Sequence, residues 1–227
     1  MSGSDQASLG DSLTAIVENL TQRARGLGSR ENAVYSAACG ERLFALYLEF
    51  ATREQWGQPG VLREALDIVW DEATPNAGSG DELIESIEQN TPHANDFGAI
   101  DCTFAQDACI CADMAVRWHF GIPPLEPIAI EYAFEAVRMA VTFARTGYLD
   151  LGAGPAYDQL DRDLTSDPTV EAEVRFHLTL LGQLAGGSSA DVARDIRTLA
   201  IKERWTTATL LGPHAPNRSD GNWKGKP

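Results

Sequence analysis

Ser29-Arg-Glu-Asn-Ala-Val-Tyr-Ser-Ala-Ala-Cys-Gly-Glu-Arg-Leu-Phe-Ala-Leu-Tyr-Leu-Glu-Phe-Ala-Thr-Arg-Glu-Gln55 is the stretch that decides the fold. Gly26-Leu-Gly28 precedes it and Trp56-Gly-Gln-Pro-Gly60 follows, so each end carries a helix breaker. Turned at about 100° per residue, Val34, Tyr35, Ala38, Leu43, Phe44, Leu46, Tyr47, Leu48 and Phe50 cover nearly the whole circumference. A helix apolar on every side is buried among other helices. The pattern predicts a central helix with the rest of the chain wrapped round it. Glu41 and Arg42 stand at its middle, where charge has to find partners.

Outward from this stretch the signals stay helical. Residues 1–10 are small and polar and are expected to be flexible. Asp11 can cap a helix to about Arg25 that buries Leu13, Ile16, Val17 and Leu20. Pro59 starts a helix to about Ala73 with Leu62, Leu66, Val69 and Ala73 in register. Asp81–Gln89 reads as a short acidic helix, 91–101 as a loop, and Phe104–Phe120 as a longer helix stopped by Gly121-Ile-Pro-Pro124. A further helix runs to about Thr146, and 147–166 reads as a loop with one short turn. Asp167-Pro168 opens a helix to Ala185, and the next spans Ala190 to about Thr207. No alternating β pattern occurs. The expected fold is all-α: a single-domain bundle or orthogonal array of about eight helices over 11–212, with no sheet and a disordered tail over 213–227.

Charge narrows the function classes. The net charge of −15 argues against nucleic acid and against an anionic membrane surface, since both draw affinity from Lys and Arg. No run of 18 apolar residues occurs, and the first residues lack the basic and apolar regions of a signal peptide. Cys39, Cys102, Cys109 and Cys111 form neither a C-x-x-C pair nor a secreted disulfide spacing, so a cytoplasmic location is expected. Cys109 and Cys111 point about 160° apart on one helix, which prevents both from reaching one ion. Walker, dinucleotide and nucleophile-elbow motifs are missing, and no cofactor is expected.

The charge is unevenly spread. Glu64 to Val116 holds 12 carboxylates and no Lys or Arg, whereas 1–63 has seven acids and six bases and 117–227 has 14 acids and 12 bases. Glu64, Asp67, Asp71, Asp81, Glu82, Glu85, Glu88 and Asp113 read as an outward acidic face for a basic partner. A solvated helix surface is the plainer reading of the same residues. Asp107 flanks the apolar stripe of its helix and needs a donor, and Arg42 is the expected one. His93, Asp96, Asp101 and Asp107 could instead gather round a divalent metal, although one histidine without a paired motif makes a weak set.

Three segments resemble a known family. They are Cys39-Gly-Glu-Arg-Leu-Phe44, Leu62-Arg-Glu-Ala-Leu-Asp-Ile-Val-Trp-Asp-Glu72, and Thr91-Pro-His-Ala-Asn-Asp-Phe97 followed by Gln106-Asp-Ala-Cys109. Together, over roughly 30–185, they resemble the YjaG-like bacterial family of all-helical proteins, a domain of unknown function. The family's Glu-Arg pair is similar to Glu41-Arg42, its Asp-Phe loop to Asp96-Phe97, and its Asp-Ala to Asp107-Ala108. Asn95 stands where members often carry a second acid. The resemblance implies the helical fold and no established activity. Glu41, Arg42, Asp96 and Asp107 are thus expected to form a structural clasp. The function expected is that of an interaction protein, concretely an immunity-type inhibitor of a basic toxin. The alternatives are a metal-binding protein or enzyme using Asp96, Asp107 and His93, and a structural homo-oligomer such as a homodimer.

Overall fold

The computed structural model describes residues 12–71, 80–97, 100–122, 124, 129–146 and 155–212. They form eleven helices and no strand among the described residues: α1 (Leu13–Ala24), α2 (Ser29–Glu54), α3 (Pro59–Trp70), α4 (Gly80–Gln89), α5 (Ala94–Phe97), α6 (Ile100–Phe120), α7 (Ala129–Thr146), α8 (Pro155–Leu164), α9 (Pro168–Leu184), α10 (Ala190–Lys202) and α11 (Thr207–Leu211). The expected termini, 1–10 and 213–227, and Glu72 lie outside the described residues.

Helix α2 is the axis. Every residue from Asn32 to Phe44 is buried, more than three full turns. It packs on α3, α6, α7, α9 and α10, most extensively on α6. Small side chains allow that approach. A Cβ on Gly40 would sit 2.9 Å from Leu66 Cδ2 and 3.6 Å from the Ala112 nitrogen. Ala33, Ala37, Ala105, Ala108, Ala112 and Ala115 are buried on the same two helices. The core continues through Tyr35, Tyr47, Phe50, Phe104, Phe134 and Phe176. Gln55, in the left-handed region at φ 51°, ends α2 by returning its N–H to Ala51 O.

The structure has more helices than expected, and the reasons are local. Ser12, whose hydroxyl accepts from the Ala15 N–H at 3.2 Å, caps α1. Helix α6 begins at Ile100 rather than Phe104 because Ile100 and Cys102 are both buried and Asp101 suits the first turn. The loop expected over 91–101 contains the single turn α5. Helix α8 occupies ground read as a loop: Tyr157, Leu160 and Leu164 recur at helical spacing and Leu164 is buried. Helix α10 stops at Lys202, and Thr206 starts α11 with a capping box closed by Thr209. No helix among the described residues is long and apolar enough to cross a membrane.

Candidate functional site

Glu41 and Arg42 are adjacent on α2 and each anchors its own charge cluster. Arg42, 2% exposed, donates from Nε to Glu173 Oε2 at 2.8 Å. Its NH1 reaches the Glu203 carbonyl at 2.6 Å and Glu203 Oε2 at 3.3 Å. The guanidinium lies 4.3 Å from the Phe176 ring centroid and 4.6 Å from that of Trp205. Trp205 donates its indole N–H to Glu173 Oε2 at 2.8 Å and its backbone N–H to the Arg42 carbonyl at 2.9 Å. On the far side Glu173 Oε1 is 3.0 Å from His177 Nε2, and His177 Nδ1 is 2.6 Å from Tyr35 Oη.

Physical chemistry fixes the protons in this chain. Burial raises the Glu173 pKa, but Arg42, His177 and Trp205 overcome it and bring it down to about 2. Burial lowers the His177 pKa against the opposing pull of Glu173, so the ring is neutral. An ionised Glu173 can only accept, so His177 Nε2 carries the proton. Nδ1 therefore accepts from the Tyr35 hydroxyl. The members of the relay from Tyr35 to Arg42 are buried and bonded in series, which makes it a structural tie between α2, α9 and the chain after α10.

Glu41 is equally deep. Arg63 forks onto its two oxygens at 3.0 and 2.5 Å, and Arg204 adds a second guanidinium. Burial raises the Glu41 pKa, and these donors more than reverse the effect. Asp67 closes the outer ring by accepting from Arg63 at 3.0 Å and from Arg197.

These contacts correct the expected clasp. Arg42 is matched by Glu173 and Glu203, not by Asp96 or Asp107. Glu173 and Trp205 were not singled out in the sequence; the spacing Glu173–His177, four apart on a buried stripe, is the signal that could have found the pair. Asp96 is exposed in α5. The anchor of that motif is Phe97, whose ring lies 5.0 Å from Phe50 and 5.5 Å from Trp56. Asp107 is 4% exposed and its Oδ2 has no hydrogen-bond partner among the described residues. Burial, then the charge of Glu135, raises its pKa well above the ordinary aspartate value.

The four metal candidates do not converge. Among the described residues no group of three His, Cys, Asp or Glu is placed to hold an ion. His93 and Asp96 are exposed, Asp101 is paired with Arg53, and Asp107 is buried. All four cysteines are free and buried.

The acidic residues divide. Asp67 belongs to the Glu41 cluster. Asp113 and Glu88 share Arg117, at 2.7 and 3.0 Å. Glu64, Asp71, Asp81, Glu82 and Glu85 are exposed on α3, its C-cap and α4, and the two helices pack on each other. Glu64, Asp81 and Glu85 have no ion-pair partner among the described residues; Glu85 takes only the Gln89 amide at 3.2 Å.

The family described as "Protein of unknown function (DUF416)" matches residues 19–207. The chain belongs to that family. Relatives include the uncharacterized protein YjaG of Escherichia coli K12, 24% identical over 172 residues, which make up 75% of this chain and 84% of that protein. YjaG of Salmonella typhimurium is 23% identical over the same coverage. A DUF416 family protein from Shewanella baltica, known from a crystal structure at 1.91 Å, shares the fold with a TM-score of 0.67 at 20% identity. The match covers 80% of this chain and 93% of that one. The family match takes in Glu41, Arg42, Glu173, His177 and Trp205, so the whole buried relay lies inside the DUF416 region.

Proposed function

We propose that this DUF416 chain is a binding protein whose acidic α3–α4 edge docks a basic protein, with an immunity-type inhibitor of a cationic toxin as the concrete form. One observation supports the reading. Glu64, Asp81 and Glu85 stand exposed without counter-charge among the described residues, while the nearby Arg63 and Arg117 are already held by other carboxylates. An uncompensated one-signed edge attracts a cationic partner and sets a salt-sensitive association.

The test is capture of native partners by the full chain at low and at high salt, with E64K/D81K/E85K beside it. The expected result is a basic protein retained at low salt, released at high salt, and bound at least about tenfold more weakly by the variant. Recovery of nothing basic, or equal binding by the variant, would sink the proposal.

A further inference from the structure

A cleft of about 310 Å³ opens where α9 and α10 meet the segment that joins α10 to α11, and Arg42 of α2 lines it. Arg42 engages Glu173 through Nε and Glu203 through Nη1. Its third nitrogen, Nη2, donates no hydrogen bond among the described residues. Unlike Asp107 Oδ2, which is sealed from solvent, Nη2 keeps a small accessible surface. In a residue only 2% exposed that lines this cleft, that surface belongs to the cleft. A charged N–H left unmade at the bottom of a cleft calls for an anion from outside the chain.

The charge around it agrees. Glu173 balances Arg42, and Glu41 balances Arg204, which gives Glu41 its Nε and Nη2. Arg175, exposed on α9 in the same wall, makes no ion pair among the described residues. The uncommitted groups are thus Arg42 Nη2 and the whole Arg175 guanidinium. Glu203 is the one carboxylate among the described lining residues, and it already accepts from Arg42 at 3.3 Å.

The remaining walls are apolar. Ala172 and Leu199 close the sides, while the Phe176 and Trp205 rings lie 4.3 and 4.6 Å from the Arg42 guanidinium. A volume of this size is at the small end of ligand pockets. Apolar walls with convergent cationic donors at the bottom describe a small organic anion rather than a bare ion.

The geometry points to a binding site for a small apolar monocarboxylate, with its carboxylate on Arg42 Nη2 and Arg175 and its body against Ala172, Phe176 and Leu199. The planar guanidinium matches a carboxylate in direction as well as in charge. Glu203 beside it repels a second negative charge, which disfavours phosphate. The site shares no residue with the acidic α3–α4 edge and does not depend on its role.

The experiment is isothermal titration of the full chain with 3-phenylpropionate at fixed pH and ionic strength, with the neutral 3-phenylpropanamide and inorganic phosphate as controls. One saturable site for the carboxylate and none for either control is expected. Arg42 is left intact because it also holds Glu173. R175Q, at an exposed position outside the relay, is expected to weaken binding at least about tenfold. A172F, which fills the cleft from α9, is expected to abolish it, with the urea midpoint showing that the variant is folded. E203Q keeps an oxygen for Arg42 and is expected to tighten binding a few-fold. No saturation by 3-phenylpropionate overturns the assignment. So does equal binding of the amide or of phosphate, or an unchanged titration in R175Q or in folded A172F.

Discussion

Asp107 and Glu173 are two buried carboxylates whose neighbours send them in opposite directions. Asp107 faces only burial and the charge of Glu135, and both push its pKa well above the ordinary aspartate value. The unfolded chain releases the Asp107 proton near that ordinary value, about 3.9. Its contribution is therefore present below that pH and lost as pH rises. Glu173 has a folded pKa of about 2 against an ordinary 4.5, so its contribution is present above the ordinary value and lost as pH falls toward 2. His177, whose pKa is lowered, adds loss in the same direction once pH drops below its ordinary 6.5. Urea midpoints measured pH by pH should thus fall on the acid side. E173Q should flatten the part of that fall below the ordinary glutamate value, a contribution of about 3 kcal/mol. D107N should raise the midpoint at neutral pH and leave it unchanged near pH 3. A D107N midpoint at or below the parent's at pH 7 would show that Asp107 is satisfied and ionised after all.

At the scale of elements, the segment joining α10 to α11 closes the bundle on α2. Glu203, Arg204 and Trp205 each bond to Glu41 or Arg42, and the Thr207 N–H reaches Glu49 Oε2 at 2.9 Å on the same helix. Trp205→Phe keeps a ring over Arg42 and removes the indole donor to Glu173, so it should cost about 1–3 kcal/mol. Arg42→Ala leaves Glu173 buried without its cation and should cost about 3–5 kcal/mol. Urea unfolding checks both, and an Arg42→Ala cost below that of Trp205→Phe would overturn this ordering. The central position of α2 was legible in the sequence because its apolar residues take up most of the circumference, although Leu48, counted among them, is exposed. Its partners were not: a helical wheel says that Arg42 needs an anion but not which distant helix brings one. Helix α8 was hidden by its charge, since Asp158, Asp161, Arg162 and Asp163 surround Leu160 and Leu164 in a stretch rich in Gly and Pro. With α8 went Asp161 and its bonds to Thr14 at the start of α1.

For the molecule as a whole, charge and stability pull against each other. The −15 net charge repels itself in the compact state, and the strain is greatest where the Debye length is long. The buried clusters at Glu41 and Arg42 are sheltered from salt, whereas the exposed acids of α3 and α4 are not. Raising NaCl from about 20 to 200 mM should therefore lift the thermal midpoint by screening the surface rather than by altering the core. Each acid-to-lysine change shifts the charge by two, so E64K/D81K/E85K carries −9 in place of −15. That variant should melt higher than the parent at low salt and respond less to added salt, because the repulsion it removes is the part that salt screens. If it melts lower, Glu64, Asp81 or Glu85 has a structural partner and the edge is part of the scaffold. If it melts higher yet loses a basic partner, the same carboxylates weaken the fold and serve binding, and the uneven charge has its explanation outside stability.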